Sequence, residues 1–148
     1  MQLTQLLLTT LSACSAVLAA PAPAPGKSMM ATDCQWTIES LKRVCNDANT
    51  CCTWTFGIDT GSGTPTACTY VVEGTNASEA NGGPSDCGDF TITSGWSGQF
   101  GPGNGFTTLS VVDDVTRQII YPAYTDNQLK GGQVVTPDQS YTPAALPN

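Results

Sequence analysis

The chain has 148 residues, with twelve acidic against five basic side chains, a formal net charge of −7 and no histidine. The basic residues Lys27, Lys42, Arg43, Arg117 and Lys130 are scattered apart from one adjacent pair, which argues against a nucleic-acid or anionic-membrane surface of the basic-patch kind. Without histidine, Ser-His-Asp and Cys-His catalysis are excluded.

Residues 1–19 read as a secretion signal. The apolar run from Leu6 to Ala19 is too short to span a bilayer and ends in the small-x-small pattern Val17-Leu18-Ala19. Pro21, Pro23 and Pro25 forbid a continuing helix, so 20–33 is expected to be an extended Pro/Ala-rich leader. No later segment approaches eighteen apolar residues, and no membrane insertion is expected. Residues 34–148 are expected to form a single secreted β-domain.

Short alternating apolar runs then mark strands. Trp36 to Cys45 alternates at Trp36 and Ile38 but drifts at Leu41 and Val44, the pattern of a bulged strand. Trp54, Phe56 and Ile58 share one face of the next strand. Asp59 to Pro65 forms a turn, and Thr69-Tyr70-Val71-Val72 a third strand. Asn81-Gly82-Gly83-Pro84 reads as a turn before the strand Phe90-Thr91-Ile92-Thr93. Gly95 to Phe106 is a long glycine-rich loop whose Trp96, Phe100 and Phe106 either fold back onto the core or present a binding surface. Thr107–Val112 and Val115–Tyr121 flank a tight hairpin at Asp113-Asp114, and Gln133–Thr136 is a short late strand. The sum is an all-β fold, a compact antiparallel barrel or sandwich of about seven or eight short strands stapled by disulfides.

Cys14 leaves with the signal, so Cys34, Cys45, Cys51, Cys52, Cys68 and Cys87 remain. Their spacings of 11, 6, 1, 16 and 19 do not resemble a zinc site, and secretion favours three disulfides with no free thiol. Cys51 and Cys52 point to opposite faces of their strand, and a vicinal bridge between them would be strained. Cys68 with Cys87 encloses the Asn-Gly-Gly-Pro turn, which leaves Cys34 and Cys45 to take Cys51 and Cys52 in either order.

Catalytic and metal signals are weak. Phe56-Gly57-Ile58-Asp59-Thr60-Gly61-Ser62 resembles the active-site segment of pepsin-like proteases, but that chemistry needs two carboxylates sharing a proton, and one such motif occurs. Glu39, Glu73 and Glu79 carry no recognisable glycosidase context. Asp86 with Asp89, or Asp113 with Asp114, could hold calcium only with further oxygen ligands. No catalytic residue, metal or cofactor is therefore assigned. Asn76-Ala77-Ser78 is an N-glycosylation sequon.

The runs Trp36–Cys45, Cys52–Ile58 and Cys68–Val72, the Gly95–Phe106 loop and Tyr121–Asp126 together resemble the small secreted cysteine-rich proteins of filamentous ascomycetes, across nearly the whole mature chain. The Trp-x-Ile and Phe-x-Ile pattern is more loosely similar to the Alternaria major-allergen β-barrel family. The resemblance implies a β-barrel effector or elicitor without a catalytic site. Its expected partner is a host plant protein or cell-surface receptor, and its expected action is plant defence or cell death. A cell-wall polysaccharide bound through Trp96, Phe100 and Phe106 is the alternative partner, and an aspartic protease a distant third reading.

Overall fold

The computed structural model describes residues 34–148; the expected signal and leader segments lie outside them. Ten strands follow in chain order: β1 (Trp36–Cys45), β2 (Cys51–Asp59), β3 (Thr66–Glu73), β4 (Gly82–Cys87), β5 (Phe90–Ser97), β6 (Phe106–Asp113), β7 (Gln118–Ile120), β8 (Ala123–Thr125), β9 (Gln139–Tyr141) and β10 (Ala144–Ala145). A short helix, α1 (Asp126–Leu129), lies between β8 and β9, and 3₁₀ turns occupy Ala77–Glu79 and Lys130–Gly132. The strands form a four-stranded sheet, β3-β2-β1-β9, and a second sheet, β10-β7-β6-β5-β4, with β8 paired to β6. Every pairing is antiparallel. The sheets do not close on each other, so the architecture is a sandwich rather than the barrel that the resemblance implied.

Alternation builds the interior. Trp54, Phe56 and Ile58 of β2 and Cys68, Tyr70 and Val72 of β3 face Phe90 and Ile92 of β5 and Leu109 and Val111 of β6, all buried. Trp36 meets Phe90 edge to face across the sandwich, with ring centroids 5.8 Å apart at 85°. The Tyr70 hydroxyl spans the core to the Ser94 hydroxyl at 2.8 Å, so a polar group inside the sandwich is satisfied.

The bulge expected in β1 is present. The β1–β2 register slips between Glu39 and Lys42, where Ser40 adopts φ 49° and its N–H donates to Asp138. Because side chains alternate with period two, the slip exchanges the faces of everything beyond it. Trp36 and Ile38 point inward before it, and Leu41 and Arg43 point inward after it, leaving Lys42 on the outer face.

Several turns differ from the sequence reading. The β6–β7 connection uses four residues, Asp114–Arg117, because Asp113 Oδ1 accepts the N–H groups of Val115 and Thr116 while Arg117 N–H returns to the Asp113 carbonyl. Gln133–Thr136 is not a strand; Val135 N–H donates to the Leu41 carbonyl, and the late strand paired to β1 is β9. Gly82-Gly83-Pro84 belongs to β4, an edge strand that pairs irregularly with β5, and an edge is where proline is tolerated in a sheet. Gly95 and Trp96 lie within β5, which shortens the glycine loop to 98–105.

The expected three-disulfide framework is corrected to two. Cys68 bonds Cys87, tying β3 to β4 and so one sheet to the other, and Cys45 bonds Cys52 across the β1–β2 end. Cys34 and Cys51 are thiols. Cys34 precedes β1 while Cys51 lies beside the Cys45–Cys52 pair at its far end. The ten residues of β1 separate those ends by roughly 30 Å, well beyond the ~7 Å limit for bridged Cα atoms. Cys51 and Cys52 do face opposite sides, Cys52 inward and Cys51 half-buried outward.

Two outcomes follow from this interior. Alkylation of the folded protein without reductant should add two groups, first at exposed Cys34 and then at half-buried Cys51; a mass showing no adduct would restore a third bridge. The Tyr124 hydroxyl is buried without a hydrogen-bond partner, and burial first, then Tyr141 and Asp138, push its pKa up; burial does the same to Tyr70. Both phenols favour the neutral form in the folded protein. Their contribution to stability is complete below the ordinary tyrosine pKa of about 10 and declines as pH rises above it. Tyr124→Phe should leave stability at pH 7 within about 1 kcal/mol of the parent and reduce the loss between pH 9 and pH 11, as read by urea denaturation.

Candidate functional site

The three loop aromatics do not act together. In the β5–β6 register Trp96 lies opposite Thr107 and Ser97 opposite Phe106, so Trp96 and Phe106 project from opposite faces of the sheet. Trp96 follows the inward parity of Phe90, Ile92 and Ser94, and at the end of the sandwich its indole Nε1–H donates to Asp126 Oδ2 at 2.9 Å. Its backbone N–H donates to Asn81 Oδ1 at 2.9 Å. The loop glycines make this docking possible. A Cβ on Gly98 would lie 2.5 Å from the Trp96 ring, and one on Gly105 would lie 2.7 Å from the ring and 2.3 Å from Asp126.

Phe106 and Phe100 occupy the outer face. Their centroids are 5.7 Å apart with the rings tilted by 30°, and Phe100 is 67% exposed. Ala123, Tyr124 and Thr125 of β8 complete a shallow pocket of about 290 Å³ around the two rings. The loop that carries Phe100 is held by its own backbone: Gly101 N–H donates to the Gly98 carbonyl and Asn104 N–H to the Gly101 carbonyl, while the Asn104 side chain donates to the Phe100 carbonyl. An aromatic displayed on an ordered loop loses little entropy when a partner covers it, which favours recognition.

Asp126 joins this loop to the first sheet. It opens α1 behind a capping box formed by Thr125 and Gln128, and its N–H donates to the Gly105 carbonyl. Opposite it stands Arg43, which is 8% exposed and turned inward by the β1 bulge. The Arg43 guanidinium lies 5.4 Å from the Trp54 ring centroid, donates to the Ser78 carbonyl at 3.0 Å and approaches Asp126 Oδ1 to 3.7 Å. Burial draws its pKa down and Asp126 draws it back up; guanidinium stays charged through either change. Charge patterning alone missed this pair, because Lys42-Arg43 reads only as an adjacent basic pair until the bulge assigns the two residues to different faces.

The remaining sequence candidates fall elsewhere. Asp59 Oδ1 accepts the Gly61 N–H at 2.8 Å, so the Asp-Thr-Gly-Ser stretch forms a turn closed by its own aspartate. Asp114 accepts from the Thr91 hydroxyl and Asp113 caps the β6–β7 turn. Among the described residues no three His, Cys, Asp or Glu side chains cluster as metal ligands. Asn76 is exposed in a left-handed conformation, donating to Glu79 and accepting from Asn49. These bonds bring the sequon to the rim of the Arg43–Asp126 region.

The docked and displayed aromatics should separate by mutation. Trp96→Ala removes a packed indole and leaves Asp126 Oδ2 without its donor, and should destabilise by about 2–3 kcal/mol. Phe100→Ser should shift Tm by no more than about 2 °C. Equal losses from both, measured by thermal denaturation, would mean that the loop folds as one packed unit.

A curated relative, Effector TSP1 of Hypocrea virens (strain Gv29-8 / FGSC 10586), is 60% identical over 148 residues, covering 99% of this chain and 100% of its own length. The family described as Effector TSP1 matches residues 37–146, a span that runs from the first core strand past β10 and includes both disulfides, the Phe100–Phe106 pair and the Arg43–Asp126 contact. On both grounds the chain belongs to the Effector TSP1 family of fungal effectors.

Proposed function

We propose that this effector is secreted and acts in the apoplast or at the host surface by binding a plant protein, inducing defence or cell death, and that it does so by recognition rather than by catalysis. The observation that supports this reading is the Phe100–Phe106 pair. A large aromatic, 67% exposed, rests on a second ring at the tip of an internally bonded loop, where it adds nothing to the core. Exposed aromatics held in place are the residues that dominate protein–protein affinity. Secretion agrees with two disulfides in so small a domain. The only basic residues among those described are Lys42, Arg43, Arg117 and Lys130, and Arg43 is committed to the interior, which leaves little surface for nucleic acid. Among the described residues no helix is long and apolar enough to cross a membrane.

Infiltration of purified protein into leaves tests the proposal. Phe100→Ser should keep its fold and disulfides while the dose needed for a defence or cell-death response rises at least tenfold, the change expected when a hot-spot aromatic worth about 2 kcal/mol is removed. An unchanged dose response would remove the loop from recognition. A response that survives reduction and unfolding would show that the folded surface is not what the plant detects.

A further inference from the structure

Asn76-Ala77-Ser78 is the one Asn-x-Ser/Thr sequence in the chain, and neither the core nor the aromatic surface accounts for it. It lies between β3 and the 3₁₀ turn Ala77–Glu79, inside the loop that the Cys68–Cys87 bond closes. Ala77 is buried and pins the turn to the core, while Asn76 is exposed at φ 59° and ψ 54°. Asparagine tolerates that left-handed backbone, which would strain most other side chains.

Asn49, in the β1–β2 connection, holds the turn from one side. Its carbonyl accepts the Ala77 N–H at 2.7 Å, and its side-chain Oδ1 accepts the Ser78 N–H at 2.9 Å. Asn49 Nδ2 donates to Asn76 Oδ1 at 2.6 Å and to the Ser78 hydroxyl at 2.8 Å. With its oxygen engaged in this way, Asn76 keeps its amide nitrogen on the exposed side, where it donates to Glu79 Oε2 at 2.7 Å. A carboxamide nitrogen carries two N–H groups. Glu79 takes one, and among the described residues nothing takes the other. One substituent on Asn76 Nδ2 therefore costs the turn none of its hydrogen bonds.

We propose that Asn76 is the attachment site of an N-linked oligosaccharide, and that Asn49 is the positioning residue that fixes the glycosylated turn. The donor is an oligosaccharide linked to a polyprenyl diphosphate. Transfer forms the bond from Asn76 Nδ2 to the sugar C1 and breaks the bond from C1 to the diphosphate oxygen. Nδ2 gives up one proton, and the lipid diphosphate leaves. The inference rests on passage through a secretory route, which the proposed function also assumes. The glycan rises from the connection after β3, whereas Phe106 and the Phe100 ring against it face out from the second sheet, so either site can fail without the other.

The full chain expressed in a filamentous fungus and recovered from the culture medium tests the site, because protein from the medium has already shown secretion. Its intact mass should exceed that of the polypeptide and fall on treatment with peptide-N-glycosidase, which leaves aspartate at position 76. Ser78→Ala removes the sequon but keeps the Ser78 carbonyl that holds Arg43, and it should carry no glycan; Ser78→Thr should keep one. Phe100→Ser should be glycosylated as the parent is. Asn49→Gly suits the φ of 52° at that position and removes the side-chain clamp. Its glycan should be released from the native protein about tenfold faster than the parent's, with equal rates after denaturation. The proposal is overturned by a secreted parent at the bare polypeptide mass, by a glycan that persists in Ser78→Ala, or by native release as slow in Asn49→Gly as in the parent.

Discussion

One additional residue in β1, between Glu39 and Lys42, turns a charged side chain toward the interior, and much of the molecule is organised around accommodating it. Uncompensated, a buried guanidinium would cost several kcal/mol. Arg43 is instead held by three different kinds of neighbour: the Trp54 ring, the Ser78 carbonyl and the Asp126 carboxylate. Those neighbours come from β2, from the 3₁₀ turn after β3, and from α1. Asp126 continues the chain of contacts to Trp96 on β5, so Trp54, Arg43, Asp126 and Trp96 connect the two sheets at one end of the sandwich. The Cys68–Cys87 bond connects them again, along the β3 and β4 edges.

This arrangement explains why the aromatic loop has two characters. Its root is anchored, because Trp96 is packed under Gly98 and Gly105 and bonded to Asp126. Its tip is displayed, because the next outward positions in the alternation carry Phe106 and, stacked on it, Phe100. An anchored root with an exposed aromatic tip combines low mobility with a large apolar contact, the combination on which the recognition proposal rests. The Arg43–Asp126 ion pair, by contrast, closes that end of the sandwich, with Asp126 Oδ1 buried 3.7 Å from the guanidinium.

The cysteines show how far spacing can be trusted. Cys68 and Cys87 lie on consecutive strands that meet at the edges of the two sheets, and their pairing was legible from the turn they enclose. Cys45 and Cys52 flank a tight β1–β2 connection, so adjacency in sequence became adjacency in space. The reading failed for Cys34 and Cys51. Pairing the remainder by elimination takes no account of the length of a ten-residue strand, which holds these two thiols at its opposite ends.

Local pattern determined a good deal: the all-β class, the alternation of Trp54, Phe56 and Ile58, the bulge signalled by Leu41, and the Asp59 turn. Each depends on residues within a few positions of one another, where period and turn chemistry act directly. Tertiary structure decided what depends on which strands become neighbours. Glycine content made 95–106 read as one loop, yet pairing with β6 drew Gly95 and Trp96 into β5, and only that register placed Trp96 and Phe106 on opposite faces. Val135 looked like strand because it is apolar and β-branched, but one bond to Leu41 is all the ladder it finds. Arg43 and Asp126 are separated by most of the domain in sequence, so no local pattern could reveal their meeting. The bulge, the sheet packing and the α1 cap had to form together before those charges faced each other.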